Sequence, residues 1–297
     1  MSHGLTYALV TPARNEAANL RRLAASVEAQ TVLPAAWVIV DDGSTDETKE
    51  VAGEFMRARR WVRLLDSPGS IARRGPVGDG RSSGRDVLAF NAGVVALEEP
   101  VDIVVKLDAD VSFEQDFFER LAAEFAADPG LGIASGTCYE LEDGHWIARL
   151  TGDHVRGATR AWRWSCFNQV QPLEDRLGWD TVDELKANAL GWQTRSVVGL
   201  PFFHHRPVGQ RDGRLRAWAA EGETAYFVGY RLWYLLARAL YRASRDPAAL
   251  ALIWGYAAAL VVRRPRHGHS GVREELRRRQ SVRNLALRVR GANGRRA

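Results

Sequence analysis

Two carboxylates one residue apart, Asp108 and Asp110, directly follow the apolar run Ile103-Val104-Val105-Lys106-Leu107. Such a pair can hold a hard divalent cation from one side and leave its other positions to phosphate oxygens and water. An isolated Asp-x-Asp is commonly a solvated turn. At the end of a buried run it is different, because charges there are costly without a partner. A second group, Val40-Asp41-Asp42-Gly43-Ser44, closes the run 37–40. Its carboxylates either order a turn or accept from a base imide N–H or a ribose hydroxyl. A third, Thr11-Pro12-Ala13-Arg14-Asn15-Glu16, closes the run 5–11. Alone it would read as a helix N-cap region. Three polar or acidic run ends in succession point to a nucleotide site.

The elements that must position these groups follow from periodicity. Residues 5–11, 37–40 and 61–65 are short apolar runs of strand length, the first ended by Pro12. Residues 15–29 and 46–59 have helical spacing, the second with Ser44 or Thr45 available as a cap. A β-α-β-α-β order implies a parallel sheet with helices on its faces. In such sheets ligands bind at the carboxyl ends of the strands, where all three groups fall. Residues 66–84 are rich in Gly, Ser, Pro and Arg and read as a loop of functional length. Residues 85–97 read as a helix, 102–107 as a central strand, and 131–139 as a further strand. Ser112 is expected to cap a helix running to Phe125, and Asp128-Pro129-Gly130 to break it. Residues 146–171 are dense in Trp and Arg, and helical character returns over 182–190. Residues 226–241 and 250–262 read as long apolar helices. The second has 13 residues, fewer than the roughly 20 needed to span a bilayer.

The 297 residues suffice for one large α/β domain and an accessory segment. Cys138 and Cys166 are too few for a disulfide framework, so a reducing compartment is expected. The apolar run near the start is too short for a signal peptide, and none is expected. Net charge is +5 but uneven: residues 263–297 hold twelve Arg and two Glu, leaving 29 basic and 34 acidic residues in 1–262. A basic tail reads first as a solvated, poorly ordered segment. Second comes attraction to anionic lipid; residues 250–262 read either as a buried helix or, with the basic tail following at once, as one lying in the membrane interface. Nucleic acid ranks last, since the acidic body offers no continuing basic face.

Together the motifs at 11–16, 40–46 and 107–110 resemble those of the family 2 glycosyltransferases with the GT-A fold, over residues 5–205. The resemblance implies an α/β GT-A nucleotide-sugar-binding fold, with a mainly parallel central sheet flanked by helices. It implies an inverting transferase using a nucleoside-diphosphate sugar and Mg²⁺ or Mn²⁺. Pro12, Ala13, Arg14, Glu16, Asp41, Asp42, Lys106 and Asp108 would line the nucleotide. Lys106 would approach the diphosphate or face solvent. Asp108 and Asp110 would hold the metal, with His204 or His205 completing its shell and Arg206 binding diphosphate. The base would be an acid at a helix start in Gly178-Trp179-Asp180-Thr181-Val182-Asp183-Glu184. Asp180, eleven residues before Gly191, is preferred, and Asp183 is the alternate; both could instead simply cap the helix. Arg73, Arg74 or Arg81 in the loop could close over the donor, and Trp162, Trp164, Trp179 or Trp192 could stack on a sugar.

The expected organisation is a glycosyltransferase domain over 1–215, an apolar helical segment over 216–262 and a basic tail over 263–297. Expected partners are a nucleoside-diphosphate sugar, a sugar or lipid-linked acceptor, and an anionic membrane surface, but no nucleic acid. The expected place is cytoplasmic, peripheral at the inner face of the membrane, in cell-envelope polysaccharide or glycolipid synthesis. No Gln-x-x-Arg-Trp segment is present, so single additions are expected. A nucleotidyltransferase would want a Gly-rich loop after the first strand, and a dinucleotide dehydrogenase a Gly-x-Gly-x-x-Gly there; the sequence has Pro-Ala-Arg-Asn-Glu. A non-catalytic nucleotide-binding scaffold is the rival from another class, disfavoured by the intact acids.

Overall fold

The computed structural model describes residues 4–68, 84–149, 154–206 and 213–281. Strands β1 (Tyr7–Ala13), β2 (Ala36–Asp41) and β3 (Val62–Asp66) alternate with helices α1 (Ala17–Glu28) and α2 (Thr48–Ala58). Helix α3 (Arg85–Val95) leads into β4 (Ile103–Leu107). Then come β5 (Val111–Phe113), α4 (Phe117–Ala127), β6 (Leu131–Glu142), β7 (His145–Ala148), β8 (Thr159–Arg163) and α5 (Trp164–Val170). Helix α6 (Trp179–Ala189) and strand β9 (Gln193–His204) complete the sheet domain. The sheet order is β3-β2-β1-β4-β8-β6-β9-β5, with β7 on β6. Strands β1 to β4 are mutually parallel, as are β6 and β9, while β8 runs antiparallel between β4 and β6.

Side-chain alternation along the strands makes two cores. Leu9, Trp37, Ile39 and Val105 face one side, against α1, α2 and α4. Val10, Val38, Val40 and Val104 face the other, against α3, α5 and α6. Because both faces are covered, β4 is buried at every position and apolar but for Lys106 near its carboxyl end. Its carboxyl end is the first place where the polar residues can meet solvent.

Three sequence expectations are corrected. Ser112 caps no helix: it lies in β5, which pairs antiparallel with the end of β9, Val111 opposite His204. The following helix begins at Phe117, with Asp116 as its N-cap. Second, 226–241 is not one helix. Helix α7 (Arg214–Val228) ends at Gly229, whose φ of +87° is the left-handed conformation that closes helices, and α8 (Leu232–Ala243) begins afresh. Third, residues 263–281 are no free tail. Helix α10 (Ser270–Arg279) packs Val272 and Leu276 against Val182 and Leu185 of α6. Residues 69–83, with Arg73, Arg74 and Arg81, lie outside the described residues, as do 282–297.

Helix α9 (Ala251–Val261) crosses α7 at close range. A methyl group on Gly222 would meet the Leu252 carbonyl, and one on Gly255 the Ala219 carbonyl. Only glycine at both positions lets the two backbones touch. Among the described residues no helix is long and apolar enough to cross a membrane.

Candidate active site

The carboxyl ends of β1, β2 and β4 come together as one rim. The Asp42 amide donates to the Ala13 carbonyl at 2.9 Å, tying β2 to β1 just past Pro12 and Ala13. Asp41 is 4% exposed and accepts the Ser44 amide at 3.2 Å, which orders the turn beyond the strand. Asp42 receives Arg85 from α3 at 2.7 Å and Arg14 at 3.8 Å. Glu16 is nearly buried; its amide donates to Thr48 Oγ1 at 2.7 Å and its carboxylate takes Asn19 and Arg206. All the residues expected to line a nucleotide are thus brought to one edge. Arg14 and Asp42, however, are largely engaged with each other and with Arg85.

Lys106 does not face solvent. It is 2% exposed, with Nζ 2.5 Å from Asp108 and 3.3 Å from Asp86 of α3, and it stands 5.4 Å over the Trp179 ring. Asp110 is reached from β9: His204 Nε2 is 3.2 Å and Arg206 Nη1 3.7 Å from its carboxylate. The β5–β9 pairing produces this meeting, because it clamps the residue after Asp110 opposite His204. One donor atom each from Asp108, Asp110 and His204 lies within 4.8 Å of the others. His205 is not in this group; its Nε2 bonds Ser112 Oγ at 2.7 Å and its ring packs on the edge of Trp146.

This cluster fits a divalent cation, because two carboxylates and an imidazole are a donor set suited to Mn²⁺ or Mg²⁺. Lys106 and Arg206 stand beside it as fixed positive charges.

The two acids of α6 part company. Asp183 is 0% exposed, held by Arg160 at 2.7 Å and by Trp162 Nε1 at 2.8 Å. Burial pushes its carboxyl up to about 6 while Arg160 pulls it back. It points into the core and cannot meet an acceptor. Asp180, one turn earlier, keeps 28% of its side chain exposed and faces His154 Nε2 at 3.5 Å. His154 Nδ1 in turn contacts Glu184 at 3.0 Å, and the buried Glu184 takes Arg279 of α10 at 2.7 Å. Burial opposes the imidazolium, but hydrogen bonds and charge from Asp180 and Glu184 prevail and raise His154 to about 10. Burial likewise opposes the Glu184 carboxylate, yet His154, Arg160 and Arg279 hold it down at about 2.

A cavity of about 1020 Å³ joins these parts. Lys106 and His204, the partners of Asp108 and Asp110, line it together with His154, Trp179 and Asp180. Of the four tryptophans proposed for stacking, Trp179 alone lines this cavity. Trp162 is a core residue serving Asp183, and Trp192 donates to Gln169. Sequence reading missed Asp86, His154, Arg160 and Glu184. Asp86 beside the loop of Gly and Arg carried a faint clue; His154 carried none, because its role depends on α6 arriving from thirty residues away.

Comparison with known proteins agrees with this geometry. Residues 8–178 match the model of the family described as Glycosyl transferase family 2. Glycosyltransferase AglE of Haloferax volcanii is 30% identical over 171 residues, 56% of this chain and 46% of that protein. The succinoglycan biosynthesis protein ExoA of Rhizobium meliloti is 30% identical over 120 residues, 40% of this chain and 32% of that one. The chain thus spans less than half the length of these curated relatives. Among solved structures, a mannosyltransferase of Pyrobaculum calidifontis, in complex with GDP-Man and Mn²⁺, aligns over 98% of this chain and 87% of its own, with a TM-score of 0.56 at 17% identity. S. aureus TarS 1-349 in complex with UDP aligns over 75% of this chain and 66% of its own, with a TM-score of 0.53 at 12% identity. The fold is therefore the GT-A fold of glycosyltransferases, and by sequence the chain belongs to glycosyl transferase family 2.

Proposed function

We propose that this protein moves a sugar from a nucleoside-diphosphate sugar to an acceptor hydroxyl, inverting the anomeric centre, with Mg²⁺ or Mn²⁺ bound. One observation carries the reading: His204, a member of the Asp108–Asp110–His204 cluster, and Lys106, the partner of Asp108, line the same cavity as the accessible Asp180. The nucleotide lies along the rim of Pro12, Ala13, Glu16 and Asp41. Asp108, Asp110 and His204 would hold the metal, which would supply charge stabilisation to the departing diphosphate. Lys106 and Arg206 add fixed positive charge beside the same group. Asp180 takes the proton of the acceptor hydroxyl as its oxygen bonds to the anomeric carbon. The bond from that carbon to the diphosphate breaks on the opposite face, and the nucleoside diphosphate leaves with the electron pair. Asp180 needs only modest basicity if proton transfer is late.

The neighbours that bind GDP-Man and UDP support a nucleotide-sugar donor, and likeness to the succinoglycan biosynthesis protein ExoA supports a role in the synthesis of a cell-envelope polysaccharide or glycolipid. A place at the inner face of the membrane is consistent with the exposed apolar side chains of α8 and α9. The test is release of UDP or GDP from a panel of nucleotide sugars with membrane extract as acceptor. Release should require Mn²⁺ or Mg²⁺ and vanish in Asp180→Asn, while that variant still binds the donor. Undiminished release from Asp180→Asn would remove it as the base.

A further inference from the structure

Helix α8 carries three distinct stripes. Leu235 and Ala239 face the core. Arg238 and Arg242 of this helix, and Arg245 just beyond its end, line the 1020 Å³ cavity that Asp180 also lines, with Arg242 and Arg245 exposed there. Arg238 is paired with Glu221 at 2.6 Å, whereas no ion pair is found for Arg242 or Arg245 among the described residues. The third stripe is the unexpected one. Leu232, Trp233, Leu236 and Leu240 are 59%, 40%, 39% and 64% exposed. A solvated helix face is normally polar. The neighbouring α9 repeats the pattern: it has no charged residue, Trp254 is 73% and Val261 80% exposed, and Arg263 and Arg264 follow at once.

An apolar helix face bordered by arginines is the composition of a helix lying in an anionic bilayer surface. The arginine side borders the cavity, with Arg242 and Arg245 exposed at it. Guanidinium groups such as Arg242 and Arg245, with no carboxylate partner among the described residues, suit phosphate, whose oxygens match their planar fork. The cavity is also large, at the top of the about 300–1,000 Å³ usual for small-ligand sites, so a headgroup fits alongside the sugar. We propose that α8 rests in the surface of an anionic membrane through its leucine–tryptophan stripe, and that its arginine stripe draws the phosphate of an amphiphilic acceptor into the cavity toward Asp180. The second half rests on the transferase reading above; the membrane contact does not.

The test uses the full chain and sedimentation with vesicles. Phosphatidylcholine vesicles are compared with vesicles that also contain phosphatidylglycerol or phosphatidic acid. Wild type should sediment with the anionic vesicles and not with phosphatidylcholine alone. Leu236→Ser with Leu240→Ser should weaken all anionic vesicle binding about tenfold, with an unchanged melting temperature because both residues are on the surface. Arg242→Gln with Arg245→Gln should remove the preference for phosphatidic acid, whose phosphate is exposed, over phosphatidylglycerol. Inorganic phosphate should neither stabilise the protein thermally nor displace it from vesicles. Equal binding to neutral vesicles, indifference to the leucine pair, or a dimer through Trp233 without vesicle binding would overturn the membrane contact. Indifference to the arginine pair, or stabilisation by inorganic phosphate alone, would overturn the phosphate-bearing amphiphile. Nucleotide binding with Mn²⁺ should persist in both double variants; its absence from the wild type would instead count against the transferase reading.

Discussion

Asp180 and Asp183 sit one turn apart on α6 and have opposite roles. Sequence could ask of a base only an acid near a helix start, which both are; spacing to Gly191 favoured Asp180. What separates them is burial by partners distant in sequence. Arg160 and Trp162 come from β8 and enclose Asp183, while Asp180 is left at the cavity with His154. Asp183→Asn is therefore expected to destabilise the protein by about 3–5 kcal/mol, because Arg160 would remain buried without its counter-charge. Chemical denaturation should show the loss, whereas Asp180→Asn, at a part-exposed carboxylate, should cost less stability, only what its contact with His154 contributes, and lose transfer. His154 gives a pH signature. Its folded value is raised from 6.5 to about 10, so its stabilisation is complete below 6.5 and disappears as pH rises through 10. The denaturation midpoint of wild type should fall over that range relative to His154→Gln. Parallel curves for the two proteins would deny His154 a charged state between its two carboxylates.

At the scale of elements, the strands and helices of the first hundred residues were legible because each carries a full period of buried residues. The three-residue β5 was not. Its Ser112 resembles a helix cap, and only the arrival of β9 makes it a strand. That strand sets Asp110 against His204, so sequence could offer His204 and His205 as equals but could not choose between them. Helix α10 was hidden for a related reason: its arginines suggest a solvated tail, while Arg279 reaches the buried Glu184 and Val272 enters a core cluster. Arg279→Leu should loosen α10, seen as faster amide exchange over 270–279 and weaker protection of α6. The α7–α9 crossing is a sharper case. Gly255→Ala places a methyl group against the Ala219 carbonyl with no flexible atom to yield, and should lower stability by about 1–3 kcal/mol in thermal melts. Gly191→Ala is no neutral control, since Gly191 has φ of +90°; Gly268→Ala, in open space, serves that purpose.

The whole molecule divides its charge as its parts divide their tasks. The sheet domain gathers the carboxylates of Glu16, Asp108 and Asp110 at one rim, beside Lys106, His204 and Arg206. The C-terminal helices gather arginines beside exposed leucine and tryptophan. Composition revealed that asymmetry without its geometry, because it cannot say that Arg238 and Arg242 of α8 border the cavity while Leu232, Leu236 and Leu240 face solvent. The account as a whole depends on the rim. Its most direct test is calorimetric titration of UDP and GDP into wild type and Asp110→Asn, each with Mn²⁺ and with chelator. The account predicts binding of at least one nucleotide to wild type with Mn²⁺, weakened at least about tenfold, or about 1.4 kcal/mol, by either the chelator or the substitution. Nucleotide binding of equal strength in all four conditions would contradict it.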